Sequence, residues 1–236
     1  MPKVTQVEPQ KKNPHRFNIY LDGQFAFGAD ADLVVNHRLI VGKEILSENL
    51  ETLVFEAEVG KLMDRIYGLL SVRLRSEKEI RDYLRQLSFK RKLKGHEELS
   101  VLAVEFLINR LKQRSLINDL EFAKSWVESR SKKKGTKVIQ SELYKKGISR
   151  ELLDQVLSVE GASSDQEKVA QGLLEKKIKI WKGLPNMEQR KKSLDFLMRR
   201  GFDYTLSRSV VDSLIKKGYD TEEENEEFDQ EGDPSA

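Results

Sequence analysis

Few residues in this sequence have the types and the spacing that a catalytic or metal site requires. Ser129 and Lys132 match the Ser-x-x-Lys spacing of enzymes that form an acyl-serine intermediate, but the partner motifs of those enzymes are missing. His96 is followed by two glutamates but by no second histidine, so it does not make a zinc-protease motif. Asp30 and Asp32 lack a third carboxylate to complete a cation site. The sequence therefore predicts a protein that is not an enzyme, with no catalytic residues, no bound metal and no cofactor.

Basic residues are the remaining chemical signal, and they form three groups along the chain. The candidate partner-binding residues are Arg73, Arg75, Arg81 and Arg85 in the first group; Arg130, Lys132, Lys133, Lys134, Lys137, Lys145 and Lys146 in the second; and Arg190, Lys191, Arg199 and Arg200 in the third. If the groups align, they present a positive stripe that fits a phosphate backbone or an acidic protein groove. The alternative for each group is a solvated helix face.

The charge of the chain is divided between a basic body and an acidic end. The formal net charge is only +3, but after Lys217 the sequence contains nine acidic residues and no basic one. With those nine removed from the 39 acidic residues, 30 remain against 42 basic ones, which gives residues 1–217 a net charge of +12. This division predicts an anionic partner, and a disordered tail that competes for the basic surface. A tail that only increases solubility is the alternative.

Composition excludes several other classes of protein. There is no cysteine, which rules out disulfides and thiolate chemistry and agrees with a reducing cytosol. No apolar run approaches the roughly 20 residues that a membrane-spanning helix needs. The N-terminal segment contains no apolar signal core. We expect a cytoplasmic protein that does not contact a membrane.

The N-terminal segment predicts a small β-hairpin. Alternating residues over 16–21 and 24–28 flank Asp22-Gly23, and both turn residues tolerate a positive φ. This combination is the strongest short hairpin signal that a sequence can carry. The segment 4–7 can add a third strand.

From Ser47 onward, where the serine can cap the first helix, the sequence predicts helices. Ser76 and Glu79 have the spacing of a capping box, and an apolar stripe follows them at helical spacing. We expect a mainly α protein in which three tandem three-helix repeats form an elongated array behind the N-terminal hairpin. The predicted boundaries are 1–46 for the hairpin extension, 47–117 for the first repeat with its lead-in helix, 118–161 for the second repeat, 162–218 for the third and 219–236 for the tail. Residues 161–164 are predicted to be a linker.

The repeat is visible as a basic helical phrase that ends in an apolar anchor. The anchors are Phe89, Ile148 and Phe202, which lie 59 and 54 residues apart, and we expect all three to be buried. Gly147 and Gly201 precede two of them and are predicted to end their helices in the left-handed conformation. A recurring unit makes long surfaces rather than pockets, which favours a binding protein.

The repeat is imperfect at two positions. When the anchors are aligned, Ile80 matches Ile139 but falls on Ser193 in the third repeat. Ser76 falls on Gly135, so the second repeat lacks the capping box.

Phe122 and Trp126 allow two interpretations. They lie four positions apart on a predicted helix and could stack on nucleic-acid bases. The same spacing is typical of a helical core, and we expect both to be core residues.

Several short motifs occur in a characteristic order over roughly residues 60–218. They are Arg75-Ser76-x-x-Glu79 with Leu84 and Phe89, Leu116-Ile117-Asn118-Asp119-x-x-Phe122-Ala123, Arg130 with Gly135, Lys146-Gly147-Ile148, and Arg200-Gly201-Phe202. In order and spacing they resemble the RecX regulators of the RecA recombinase. The N-terminal hairpin is similar to the extension of the longer family members.

The resemblance implies three tri-helical repeats and a bacterial cytoplasmic protein that lies in the groove of the RecA–single-stranded-DNA filament. It also implies suppression of ATP hydrolysis and strand exchange by RecA, and promotion of filament loss. We expect the protein to be a monomer. The alternative function is a stand-alone basic helical protein that binds single-stranded nucleic acid through its phosphates.

Overall fold

The structure is a computed structural model that describes residues 1–11, 13–160, 163–181 and 183–215. The tail predicted to be disordered, 219–236, lies outside the described residues, as do Gly161 and Ala162 of the predicted linker. The rest of that linker prediction is wrong, because Ser163 already begins a helix. The chain divides into two units, Met1–Asn118 and Asp119–Ala236.

The first unit opens with a three-stranded antiparallel sheet in the order β1-β2-β3. The strands are β1 (Val4–Gln10), β2 (Asn13–Leu21) and β3 (Gln24–Asp30). Asp22 and Gly23 make the predicted turn between β2 and β3, with φ values of 48° and 83°. Ile19 pairs with Val7 on β1 and with Phe27 on β3, and the side chains of Ile19 and Phe27 are buried. The predicted hairpin and its third strand are confirmed.

One long helix of the first unit contributes to two hydrophobic cores. The described helices of this unit are α1 (Ala31–Asn36), α2 (Ser47–Leu70), α3 (Glu77–Leu93) and α4 (Val101–Gln113). The first half of α2 places Leu53 and Ala57 against the sheet, and its second half places Leu62 and Ile66 against α3 and α4. Gly60 lies between the two halves, where an added Cβ would collide with the Asp30 carboxylate.

Two serines of the first unit are predicted to cap helices, and one of them, Ser76, does so. Ser76 is fully buried at the N-terminus of α3, and its Oγ accepts a 3.2 Å hydrogen bond from the N–H of Glu79. Ser47 does not cap α2 as predicted. It is the first residue of the helix, and the N-cap position belongs to Leu46, whose side chain makes no capping bond.

The expectation that Phe89 is a buried anchor is wrong, because its side chain is 60% exposed. Helix α3 continues past this position to Leu93 and is followed by Gly95 with a φ of 74°. The residue before Phe89 is Ser88 rather than glycine, so no left-handed residue ends the helix there. Ser88 instead accepts a 3.0 Å hydrogen bond from the N–H of Leu99, which lies in the core of the first repeat.

The second unit is helical throughout its described residues, apart from short connections. Its helices are α5 (Asp119–Ser131), α6 (Thr136–Lys145), α7 (Arg150–Glu160), α8 (Ser163–Ile178), α9 (Asn186–Arg199) and α10 (204–215), with a 3-10 turn at Lys179–Trp181. One core joins α5, α6 and α7 around Phe122 and Leu143, and a second joins α8, α9 and α10 around Leu174 and Leu197. The predicted mainly α fold, with tri-helical domains behind a small sheet, is confirmed.

Gly147 and Gly201 end α6 and α9 as predicted, with φ values of 84° and 88°. The N–H of each following residue, Ile148 or Phe202, bonds back to the carbonyl oxygen five positions earlier at 3.2 Å. This closing bond turns the chain so that the next apolar side chain enters the core. Both anchors are accordingly 1% exposed.

The aligned isoleucine position of the third repeat is occupied by a buried serine. Ser193 in α9 is 0% exposed, like Ile80 in α3. Its hydroxyl has no hydrogen-bond partner among the described residues. The third repeat therefore buries a small polar group where the other repeats bury an isoleucine.

Candidate partner-binding surface

The first basic group is largely neutralised by acids of its own unit. Arg73 donates two hydrogen bonds of 2.8 Å to the two carboxylate oxygens of Glu79. These bonds raise the pKa of Arg73 above its ordinary value. Arg85 lies 3.0 Å from Asp82, which also binds Lys78 at 2.9 Å. Acids of α3 thus bind both arginines, Arg85 on the same helix and Arg73 from the segment before it.

Arg81 joins two helices rather than facing a partner. Its guanidinium bonds both carboxylate oxygens of Glu105 on α4, at 2.5 and 2.9 Å, and Glu77 on α3 at 2.8 Å. Lys112 on α4 bonds Glu77 at 2.6 Å. Burial opposes the charged form of Glu77, but the hydrogen bonds from Lys112 and Arg81 outweigh burial and lower its pKa. The network ties α3 to α4.

Arg75 is also not a freely exposed cation. Its side chain is half-buried, and its Nε is fully buried without a hydrogen-bond partner among the described residues. Three of the four candidates of the first group are thus paired with carboxylates, and the fourth, Arg75, is half-buried. Part of this was readable in the sequence, since Glu77 and Arg81 have the i,i+4 spacing of a helical ion pair. The Glu105 contact was not, because it depends on how α3 and α4 pack.

Two cations of the second group cover an aromatic ring. The Arg130 guanidinium lies 4.7 Å from the centre of the Trp126 ring, and the Lys146 ammonium lies 4.4 Å from it. The Trp126 indole N–H donates a 2.9 Å hydrogen bond to Glu142, which also binds Arg130 at 3.2 Å. Each cation gains from the negative ring face and serves the fold.

The aromatic pair belongs to the core of the second repeat. Phe122 is buried, Trp126 is half-buried, and their rings stack with centroids 5.7 Å apart. The core interpretation is confirmed for Phe122, and Trp126 packs against the same cluster. With cations and Phe122 against its ring, Trp126 is poorly placed to stack on a nucleic-acid base.

A backbone junction joins the second repeat to the third. The N–H of Gly135, which precedes α6, donates a 2.8 Å hydrogen bond to the carbonyl oxygen of Arg200 at the end of α9. The N–H of Lys137 donates a 3.1 Å bond to the carbonyl oxygen of Gly201, and the Lys137 ammonium binds Asp203 at 2.9 Å. We call these contacts the Gly135–Gly201 junction. Sequence reasoning missed it, and the one hint was the missing cap at Gly135.

Arg200 is part of this junction. Its guanidinium donates a 3.1 Å hydrogen bond to the carbonyl oxygen of Lys133 and lies 4.7 Å from the centre of the Phe196 ring. The arginine therefore holds the 132–134 loop against the end of α9. Lys137 and Arg200, both candidate binding residues, position the loop.

Besides Arg75 and Arg200, whose surroundings are given above, six candidate cations have no ion pair within the part of the chain that the structure describes. They are Lys132, Lys133, Lys134, Lys145, Lys191 and Arg199. All six belong to the second unit, and all are exposed except Lys134, which is half-buried. Arg199 bonds the backbone oxygen of Asp195 at 3.2 Å, and Arg190, the remaining candidate, binds Asp212 at 2.5 Å.

Four of these cations are next to the junction in the chain. Lys132, Lys133 and Lys134 directly precede Gly135, and Arg199 directly precedes Arg200, which bonds the Lys133 carbonyl oxygen. We call Lys132, Lys133, Lys134 and Arg199 the junction surface. Concentrated positive charge of this kind attracts phosphates or carboxylates. Among the described residues, no group of three or more acidic or histidine side chains is arranged to hold a metal ion. No described helix combines the length and the apolar character needed to cross a bilayer.

A small antiparallel sheet followed by three-helix domains defines a mainly α protein built from helical repeats. Family models match three parts of the chain. They are the regulatory protein RecX N-terminal domain at residues 2–46, the second three-helix domain of RecX at 118–157 and the third three-helix domain of RecX at 165–211. The chain belongs to the RecX family of regulatory proteins.

Relatives with the same name cover almost all of the chain. The regulatory protein RecX of Bacillus subtilis strain 168 is 34% identical over 227 residues, which are 95% of this chain and 82% of the relative. The Bacillus pumilus protein is 33% identical over 229 residues, 96% of this chain and 81% of the relative.

Solved structures agree with the family assignment. A crystal structure of regulatory protein RecX has a TM-score of 0.69 and 25% identity, covering 90% of this chain and 100% of that chain. The crystal structure of RecX from Lactobacillus salivarius has a TM-score of 0.57 and 26% identity, covering 66% of this chain and 96% of that chain.

Proposed function

We propose that this protein regulates the RecA recombinase by binding in the groove of the RecA–single-stranded-DNA filament. It acts mainly as an inhibitor, reducing ATP hydrolysis and strand exchange and changing the stability of the filament. It works as a monomer in the cytoplasm, in homologous recombination, DNA repair and the SOS response. Membership of a family of regulatory proteins is the observation that carries this proposal.

The distribution of charge supports the proposal independently. A RecA–DNA filament is an extended anionic partner, and six of the candidate cations in the described second unit have no ion pair there. Tandem helical repeats supply several weak contacts that add up along such a partner. We also propose that the predicted repeat boundaries divide the chain into the modules that make these contacts.

ATP hydrolysis by RecA on single-stranded DNA tests the function directly. We expect the hydrolysis rate to fall as this protein is added, and strand exchange to fall with it. The assay needs a cognate RecA and amounts from substoichiometric to saturating. An unchanged hydrolysis rate over the whole titration contradicts the proposed function.

Binding to single-stranded nucleic acid without RecA is the second candidate. The unpaired lysines of the junction surface favour it, because ammonium groups contact phosphates without reading sequence. Salt separates the two functions. Affinity for DNA alone falls steeply as the salt concentration rises, since each phosphate contact releases counterions. Affinity for the filament falls less, because its apolar contacts do not depend on counterion release. Tight DNA binding without any effect on RecA establishes the second candidate instead.

A further inference from the structure

Two glycines make the junction between the second and third repeats possible. A Cβ added to Gly135 would collide with the backbone of Gly201 and with the amide nitrogen of Phe202. A Cβ added to Gly201 would lie 2.5 Å from the backbone nitrogen of Val138. The two chain segments therefore approach backbone to backbone, at a distance that only glycine allows.

The junction also completes the hydrogen bonding of two helix ends. The first N–H groups of a helix have no partner within the helix, and neither have its last carbonyl groups. Here the carbonyl oxygens of Arg200 and Gly201, at the end of α9, accept bonds from the N–H groups of Gly135 and Lys137 at the start of α6. The negative end of one helix dipole thus faces the positive end of another.

The same contacts determine where the lysines of the 132–134 loop are held. Lys133 contributes its carbonyl oxygen to the Arg200 guanidinium at 3.1 Å, and its exposed ammonium forms no ion pair among the described residues. Gly135, directly after the loop, is fixed by its own bond to Arg200. The position of the loop is therefore fixed relative to the end of α9. Arg199, the residue before Arg200 on α9, is held in the same way relative to the loop.

We infer that Gly135 and Gly201 are positioning residues that hold the four cations of the junction surface together as one binding surface for the filament. This inference rests on the proposed function and deepens it. Without the junction, the same charges belong to two repeats that move separately, and each repeat binds more weakly. The glycines themselves contact no partner.

Gly135→Ala tests the inference, because the φ of −78° at this position suits alanine and what the change adds is the collision with the backbone of Gly201 and Phe202. Gly172→Ala on α8 is the matched control, since a Cβ there meets nothing within 4 Å. We expect Gly135→Ala to raise the concentration that half-inhibits RecA by about tenfold or more, as expected when linked contacts separate. We expect Gly172→Ala to leave it within about twofold of the wild type.

Gly135→Ser separates the collision from a loss of helix capping. Serine is a good N-cap residue, and Ser76 is the N-cap at the aligned position of the first repeat. Serine at position 135 nevertheless adds a Cβ, as alanine does. If the junction matters, serine is as harmful as alanine. If serine restores full inhibition, capping rather than positioning is the cause and the inference is wrong.

Amide hydrogen exchange shows whether the junction itself has opened. In the wild type the N–H groups of Gly135 and Lys137 are bonded and should exchange slowly. In Gly135→Ala they should exchange faster, while the N–H group of Ile148, within the core of the second repeat, stays protected. Faster exchange at the junction with undiminished inhibition overturns the inference.

Arg200→Met covers the case in which the glycine variants do not fold. It removes the bond to the Lys133 carbonyl while an apolar side chain remains beside Phe196. Weaker inhibition by this folded variant supports the inference if the N–H of Gly135 also exchanges faster, and weaker inhibition with unchanged exchange points to a direct contact of Arg200 and contradicts it, as does inhibition equal to the wild type. If the wild-type protein itself has no effect on RecA, the proposed function fails, an outcome distinct from a variant that inhibits normally.

Discussion

Arg81 on α3 and Glu105 on α4 are joined by two hydrogen bonds, at 2.5 and 2.9 Å, which bind one helix of the first repeat to the next. An arginine engaged in this way has little charge to offer a partner. The contact therefore removes one predicted binding residue of the first group from the candidate surface. Among the described residues, the exposed candidates without an ion pair lie in the second unit.

Changing Lys132, Lys133 and Lys134 together to glutamate should weaken binding to the filament and reduce its dependence on salt. The reason is that three positive charges near the partner become negative, while no ion pair within the described structure is lost. RecA ATPase titrations at low and high salt measure the effect, and circular dichroism checks that helicity is intact.

The matched control is the same change at Lys11, Lys90 and Lys94, three exposed lysines of the first unit without ion pairs in the described structure. It alters the net charge equally but away from the junction surface. If both triple variants bind alike, only total charge matters. If binding by the 132–134 variant is unchanged at every salt concentration, these lysines are a solvated face.

Phe122→Ala and Phe202→Ala should each lower the free energy of unfolding by about 3–5 kcal/mol, the usual cost of emptying a buried aromatic site. Phe89→Ala is the control and should cost less than about 1 kcal/mol, because its side chain is 60% exposed. Urea unfolding followed by circular dichroism measures all three. Loss of RecA inhibition with unchanged unfolding would mean that Phe122 and Phe202 contact the partner instead.

The first unit should lose stability in acid. The pKa of Glu77 lies below its ordinary value of 4.5, since the bonds from Lys112 and Arg81 outweigh burial. A carboxyl group with a lowered folded-state pKa stabilises the fold above pH 4.5, and this stabilisation is lost as the pH falls through the lower value. Thermal unfolding of the wild type against pH should therefore show a decline below about pH 4.5.

Glu77→Gln should make that decline shallower, because the titrating group is gone. Glu97→Gln, at an exposed position of the same unit, is the control and should follow the wild type. Equal pH dependence in all three proteins would show that the ion-pair network between α3 and α4 does not control acid stability.

Ser193→Ala should leave stability unchanged or raise it by up to about 1 kcal/mol. The Ser193 hydroxyl is buried and has no partner among the described residues, so its removal costs no hydrogen bond and ends a desolvation penalty. The midpoint of urea unfolding gives the answer. A clear loss of stability would reveal that the hydroxyl is bonded in solution, for example to a buried water.

Truncation after Gly218 should raise affinity for single-stranded DNA at low salt and change it little at high salt. The removed segment carries nine acidic residues and no basic one, and it is tethered to a body of opposite charge. At about 0.01 M salt its field extends about 30 Å, so it competes with phosphates for the cations. Fluorescence anisotropy with a labelled oligonucleotide measures the affinity. Weaker binding by the truncated protein at low salt would make the tail part of the fold or of the interface.

The sequence by itself determined the features that depend on neighbouring residues. Asp22-Gly23 specified the hairpin turn because both residues accept a positive φ. Gly147 and Gly201 specified helix ends for the same reason, and Ser76 specified a helix start through its hydroxyl. These signals work within about one helical turn, so no knowledge of packing was needed.

Only the tertiary structure decided which of the predicted basic residues are free. Whether an arginine meets a carboxylate depends on how two helices lie against each other, as Arg81 and Glu105 show. The exposure of Phe89 followed from the continuation of α3, and the Gly135–Gly201 junction followed from the docking of two repeats. Periodicity identifies the apolar face of each helix, but not which distant helix or backbone segment that face will contact.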